Sequence, residues 1–131
     1  MTIECDTVLL AIGRKPNTKG FGLEELGVEL NPNGTIKVDP YLRTTKYKNI
    51  FACGDVAGPY QFTHTASHQA WYCAVNSMIT PYWGYKVDYS VIPWATYTDP
   101  EVARVGLNEQ DAKEQNIPYE VSTYGIDDLD R

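Results

Sequence analysis

The sequence predicts an α/β fold followed by a smaller α+β unit. Three observations lead there. Residues 49–58, NIFACGDVAG, set an apolar run (Ile50, Phe51, Ala52) directly before a Gly-Asp turn, and that run fits a strand and no helical period. A long helical pattern follows over Thr63–Ile79. Beyond Val91 the order becomes strand, strand, helix, strand, which is that of an α+β unit.

Taken along the chain, residues 3–12 (IECDTVLLAI) read as a strand whose apolar second half suits burial on both faces. Gly13 and Pro16 end it. Phe21–Gly27 is expected to make one short helical turn closed by Gly27. Val28–Leu30 and Thr35–Asp39 flank Asn31-Pro32-Asn33-Gly34, so a β-hairpin is expected there. Leu42–Lys48 reads as a polar connection to the Asn49–Cys53 strand. The long helix is expected to take its N-cap from Thr63 or Thr65 and to stop at Pro81. Ala66, Ala70, Cys73, Ala74 and Ser77 form a small-residue stripe that would let a sheet or cofactor approach closely. Tyr82–Ser90 reads as an aromatic linker. VIPWATYT and EVARVG read as strands separated by Asp99-Pro100, with Asn108 capping a helix over 109–115 and a last strand at 119–124.

Composition limits the function classes. With 131 residues the chain can bury a real core. Its net charge of −6 and scattered Lys and Arg leave no basic stripe, so no nucleic-acid partner is expected. No apolar run reaches membrane-spanning length, so no membrane partner is expected. Cys5, Cys53 and Cys73 lack disulfide or zinc-finger spacing, and no secretory signal is visible. Those features predict reduced thiols, no metal site and a cytoplasmic location. Both ends are abrupt, which suggests a piece of a longer protein.

The Gly-Asp turn is the candidate site. Gly54 allows a sharp turn and close ligand approach, and Asp55 falls at the carboxyl end of a strand, where open α/β sheets bind ligands. A carboxylate there accepts hydrogen bonds from sugar hydroxyls, and the following helix start favours negative charge. This combination suits a hydroxyl-rich cofactor tail.

Four segments carry a family resemblance: ECDTVLLAIGRKPN; Thr45 to Asp55, TKYKNIFACGD, in the pattern T-x6-A-x-G-D; GPYQFTHTASHQAWYCAVN; and VIPWATYTDPEVARVGLNEQDA. In this order they resemble the carboxyl-terminal half of the pyridine nucleotide-disulfide oxidoreductases, which include dihydrolipoyl dehydrogenase, glutathione reductase and mercuric-reductase-like flavoproteins. The resemblance implies a partial FAD/NAD(P)-binding Rossmann-like domain followed by the start of a dimerisation domain. It sets residues 1–20 at the end of the NAD(P) domain, 21–85 in the second half of the FAD domain and 86–131 in the interface domain. It implies FAD as cofactor and NAD(P)H as co-substrate of the longer protein. Thr45, Gly54, Asp55, Ala66, Gly13 and Arg14 are the cofactor-binding residues it implies. Asp55 would bond the FAD chain, Gly54 would permit the approach, and Ala66 would lie by the pyrimidine edge of the flavin. Gly13 and Arg14 would lie where the chain crosses between nucleotide domains.

The departures matter as much. The chain has no G-x-G-x-x-G phosphate loop, no C-x4-C redox pair and no distal His–Glu pair, so no catalytic residue is expected and the chain alone should be inactive. Severed strands should leave exposed edges, so a homodimer, with segments exchanged between chains, is expected. Blander readings compete throughout. Asp55 could be a turn aspartate. Arg14 could make a surface ion pair, and His64 and His68 a surface pair on one helix. Cys53 could simply pack. A stand-alone interaction module built on residues 91–131, or a free-standing flavin-binding protein, are the alternative functions.

Overall fold

The computed structural model describes residues 2–80 and 82–125. Pro81, read above as the helix stop, lies outside the described residues. The chain divides into two compact units, Met1–Val87 and Asp88–Arg131.

The first unit is built on short antiparallel bridges rather than on a continuous sheet. Leu30 bridges Ile36, Val38 bridges Thr44, and Arg43 bridges Phe51. The expected hairpin turn is present: Asn31 N donates to Thr35 O (2.8 Å) and Lys37 N to Glu29 O (2.9 Å). Asn33 Oδ1 braces the turn by accepting from Thr35 N at 3.1 Å and Thr35 Oγ1 at 2.7 Å. Ile36 N donates to Val56 O (2.7 Å), tying the hairpin to the Gly-Asp turn. Between these bridges lies a small core of Val28, Ile36, Ala52 and Ala57, flanked by Leu23, Val38, Tyr47 and Val56.

Three expectations for this unit change. Asn49–Cys53 is not a strand of full length; among the described residues it pairs through the Phe51 bridge to Arg43, with the bonds Thr44 N to Ile50 O and Ala52 N to Leu42 O beside it. Residues 3–12 form no strand, and their apolar side chains are exposed, Leu9 by 88% and Ile12 by 92%. A doubly buried strand needs a neighbour on each side, and the described residues supply none for it. The Leu42–Lys48 connection is not merely polar. It holds Leu42 and Thr44, both almost fully buried, with Leu42 in the left-handed region (φ 64°). Asp39 enforces that turn: its carboxylate accepts from Tyr41 N (3.0 Å), Arg43 N (3.1 Å) and Arg43 Nε (2.9 Å) and pairs with Lys48.

Helix α1 (Leu23–Leu26) is a single turn closed by left-handed Gly27, as the sequence predicts. Helix α2 spans Thr63–Ile79 with the expected bounds. Its N-cap is Phe62, which makes no side-chain cap bond, so neither Thr63 nor Thr65 caps it. Its inward face is the expected small-residue stripe only at Ala66 and Cys73. Ala70, Ala74 and Ser77 are exposed, while Thr65, Gln69 and Asn76 are fully buried. The helix turns a polar face inward because it packs on loop backbone, whose N–H and C=O groups need partners. Asn76 Nδ2 donates to Tyr41 O (3.1 Å) and Tyr85 O (2.9 Å), and its Oδ1 accepts from Tyr85 N (2.8 Å).

In the second unit, β1 (Pro93–Thr96) and β2 (Val102–Val105) pair antiparallel, with Trp94 opposite Arg104. Helix α3 (Glu109–Glu114) starts at the expected cap: Asn108 Oδ1 accepts from Asp111 N (2.8 Å), and Asp111 returns a bond to Asn108 N (3.2 Å). Arg104 pairs with Asp111 and lies over the Trp94 ring. Residues 119–124 form no strand; they are exposed and no described strand pairs with them. The architecture is therefore mixed α/β, with one two-stranded sheet among the described residues. The layered Rossmann-like sheet of the expectation is not assembled there.

Two predictions follow from this packing. Asn76→Ala strips three backbone groups of their partner and should lower stability by about 2–3 kcal/mol in urea unfolding, against about 1 kcal/mol for Asn108→Ala; equal losses would contradict the polar-face account. Burial opposes ionisation of Asp39, but the bonds from Arg43, Tyr41 and Lys48 outweigh it and hold the carboxyl below its ordinary 3.8. A depressed carboxyl stabilises the fold above its unfolded pKa and loses that contribution as pH falls through the folded value. Asp39→Asn should therefore flatten the drop in unfolding free energy between about pH 5 and pH 3; an unchanged slope would exclude Asp39 as its source.

Candidate functional site

The candidate site is the 3-10 turn Gly54–Val56 and its seat on α2. Cys53 is extended (φ −140°), and Gly54 then turns left-handed at φ 78°. That value favours glycine for steric reasons. Gly54 O accepts from Ala57 N (2.9 Å) and Gly58 N (3.2 Å), which closes the turn. A Cβ on Gly54 would lie 3.5 Å from the Ala66 Cβ, an ordinary contact, so the glycine brings backbone and helix together.

Gln69 fixes this seat. From the second turn of α2 its Oε1 accepts from Gly54 N (2.5 Å) and its Nε2 donates to Gly58 O (2.6 Å). One buried amide thus grips both ends of the Gly54–Gly58 loop. Sequence reasoning missed Gln69. The available signal was its spacing: Thr65, Gln69 and Asn76 recur at four and seven residues, one polar face of a helix.

Held this way, Asp55 points outward, its side chain 42% exposed. Its Oδ2 accepts from Arg14 Nη1 at 2.9 Å, and the same nitrogen donates to Gln61 O at 3.2 Å. Arg14 therefore spans from the carboxylate to the loop that leads into α2. Gly54, Asp55, Ala66 and Arg14 are brought together. Gly13 adjoins Arg14 with φ 150°, and the space where its Cβ would stand is open. Thr45 is directed elsewhere: its hydroxyl donates to Glu29 Oε2 (3.0 Å) on the hairpin. Lys37 first, and then Thr45, hold the Glu29 carboxyl below its ordinary range.

The helix entrance has two further features. Tyr60, Phe62 and His64 stack in a row, with centroids 6.1 and 5.3 Å apart, and His68 meets the Tyr72 ring edge-on at 5.0 Å. The Thr65 hydroxyl is buried without a hydrogen-bond partner among the described residues. Among the described residues, no cluster of three His, Cys, Asp or Glu side chains could hold a metal, and no helix is long and apolar enough to cross a membrane.

The residues present fit part of a flavin nucleotide. Asp55 offers an exposed carboxylate acceptor, Gly54 leaves the backbone bare, and α2 begins beside them. This is the chemistry a polyhydroxyl chain requires. The group's phosphates find no glycine-rich cradle in this chain.

Comparison with known proteins supports the same class. Residues 1–70 match the pyridine nucleotide-disulphide oxidoreductase family, and residues 92–131 match the dimerisation domain of those enzymes. The chain belongs to the pyridine nucleotide-disulphide oxidoreductase family. That family is FAD-dependent and uses NAD(P)H. The chain is 45% identical to dihydrolipoamide dehydrogenase from Chaetomium thermophilum, across 94% of its own length and 24% of the relative's. It is 43% identical to human mitochondrial dihydrolipoyl dehydrogenase, across 93% and 23%. Among solved structures it resembles the HOCl-induced flavoprotein disulfide reductase RclA from Escherichia coli, with TM-score 0.64, 33% identity and coverage of 79% and 23%. It also resembles LpdA from Mycobacterium tuberculosis, with TM-score 0.68, 28% identity and coverage of 82% and 23%. The chain thus spans about a quarter of the length of the curated relatives it matches. These relatives do not single out the mercuric-reductase-like members.

The turn geometry makes a direct prediction. Gly54→Ala should destabilise the first unit by about 1–2 kcal/mol, the cost of the left-handed backbone, since space for the methyl exists. A neutral substitution in urea unfolding would show that the turn relaxes to another conformation.

Proposed function

We propose that this chain supplies one wall of the flavin site of an FAD-dependent pyridine nucleotide-disulfide oxidoreductase. The observation that carries the reading is the half-exposed Asp55 carboxylate, held outward by a turn that Gln69 clamps onto α2. Asp55 accepts from the sugar-like hydroxyls of the FAD chain, while Gly54 lets that chain approach the backbone. Ala66 stands by the pyrimidine edge of the flavin, where the N-terminal dipole of α2 favours negative charge. Arg14, already bridging Asp55 and Gln61, supplies positive charge at the same edge, with Gly13 giving it room; Thr45 belongs to the fingerprint and steadies the hairpin through Glu29.

When bound, FAD would take a hydride from NAD(P)H and pass electrons on to a disulfide or metal substrate. The chain's own residues bind and orient; none is assigned a catalytic step, and the isolated chain is inactive. In this reading, residues 1–20 close the NAD(P) domain, 21–85 form the second half of the FAD domain, and 86–131 open the dimerisation domain. A homodimer forms through that last part, with segments exchanged between chains, and no nucleic acid or membrane takes part. The three free cysteines support a reducing, cytoplasmic location; the human relative is named mitochondrial.

Flavin absorbance and fluorescence test the proposal. The purified chain should retain FAD far below one per chain, because the phosphate loops are missing. Added FAD should bind weakly, and Asp55→Asn should weaken it by about tenfold or more, the value of a hydrogen bond to a charged group. A stoichiometrically yellow preparation, or affinity indifferent to Asp55, would overturn the reading.

A further inference from the structure

We infer that Cys53 and Cys73 form a thiol pair that closes reversibly to an intramolecular disulfide, stapling the Gly54 turn to α2. The pairing rests on the track that the turn follows along the helix. Ala52 O accepts from the Cys73 thiol at 3.7 Å. Two residues later Gly54 N is bound by Gln69, one turn earlier on the same helix, and the Gly54 Cβ position lies 3.5 Å from Ala66. Cys53 follows Ala52 directly, so the Cys73 thiol stands against the peptide group that joins Ala52 to Cys53. Both cysteines are partly exposed. The inference does not depend on flavin binding.

The chemistry needs a low-molecular-weight disulfide, such as oxidised glutathione, as oxidant. One protein thiolate attacks it, forming a mixed disulfide and releasing one glutathione. The second protein thiolate then attacks the protein sulfur of that mixed disulfide and displaces the other glutathione. Both protein sulfurs are oxidised, the small disulfide is reduced to two thiols, and the two protein protons end on those thiols. Burial first, and then the neighbouring Cys53, push the Cys73 thiol up to about 12. A thiol so raised is scarcely ionised at neutral pH, so the step in which Cys73 attacks is the slow one. The closed loop contains Gly54, Asp55 and the first half of α2, so oxidation rigidifies the candidate site.

The test uses the full chain, both unaltered and with the exposed Cys5 removed as Cys5→Ser. Each is incubated with oxidised glutathione under native conditions, blocked with N-ethylmaleimide in denaturant and mapped by mass spectrometry. The expected product joins the Cys53 and Cys73 peptides, is lighter than the reduced pair by two hydrogens and reverts with dithiothreitol. Its urea midpoint should exceed that of the reduced chain, and Cys73→Ser should stop at a glutathione adduct on Cys53. Persistent glutathione on either cysteine without a cross-link, or both thiols still open to maleimide, would overturn the inference in either background.

Discussion

The candidate site depends on one buried side-chain amide. Gln69 accepts from Gly54 N and donates to Gly58 O, and these two bonds fix where the Gly-Asp turn stands against α2. A fully buried amide with both its donor and acceptor engaged is costly to disturb, because each partner left unpaired keeps its desolvation penalty. Asp55 inherits its position from that arrangement. The carboxylate meets Arg14 and solvent, while Gln69 satisfies the backbone of the turn.

The same logic governs the rest of the first unit. Its core is small, limited to Val28, Ile36, Ala52 and Ala57 with a few flanking side chains. Apolar burial of that extent is modest, and specific polar anchors carry much of the order instead. Asp39 builds the turn around Leu42, Asn76 ties α2 to Tyr41 and Tyr85, and Thr44 holds the next corner by donating to Tyr47 O at 2.6 Å. Short bridges and buried amides thus replace the sheet that the strand pattern implied.

What the sequence revealed, and what it hid, follow from this distribution of forces. Features fixed by local chemistry were legible: the Gly27 helix stop, the Asn33-Gly34 turn, the bounds of α2, the Asn108 cap, and the presence of strands β1 and β2. Features fixed by distant partners were not. Residues 3–12 have a strand's composition, but composition cannot supply neighbouring strands. The inward face of α2 was partly misread because small residues were taken to mark close packing, whereas the backbone it meets selects Gln69 and Asn76. At the site, Gly54, Asp55, Ala66 and Arg14 lie together, but the clamp that assembles them was not legible. A lone Gln inside a helix carries no motif; only its four- and seven-residue spacing from Thr65 and Asn76 hints at a buried polar face.

The most direct test of the account is an FAD titration of the purified chain followed by backbone amide NMR. Shifts concentrated at Arg14, Gly54, Asp55 and Ala66, with the Gly54 amide still protected from hydrogen exchange, are the predicted result. Shifts spread elsewhere in the chain, or a Gly54 amide that exchanges as freely as those of exposed residues 3–12, would contradict it.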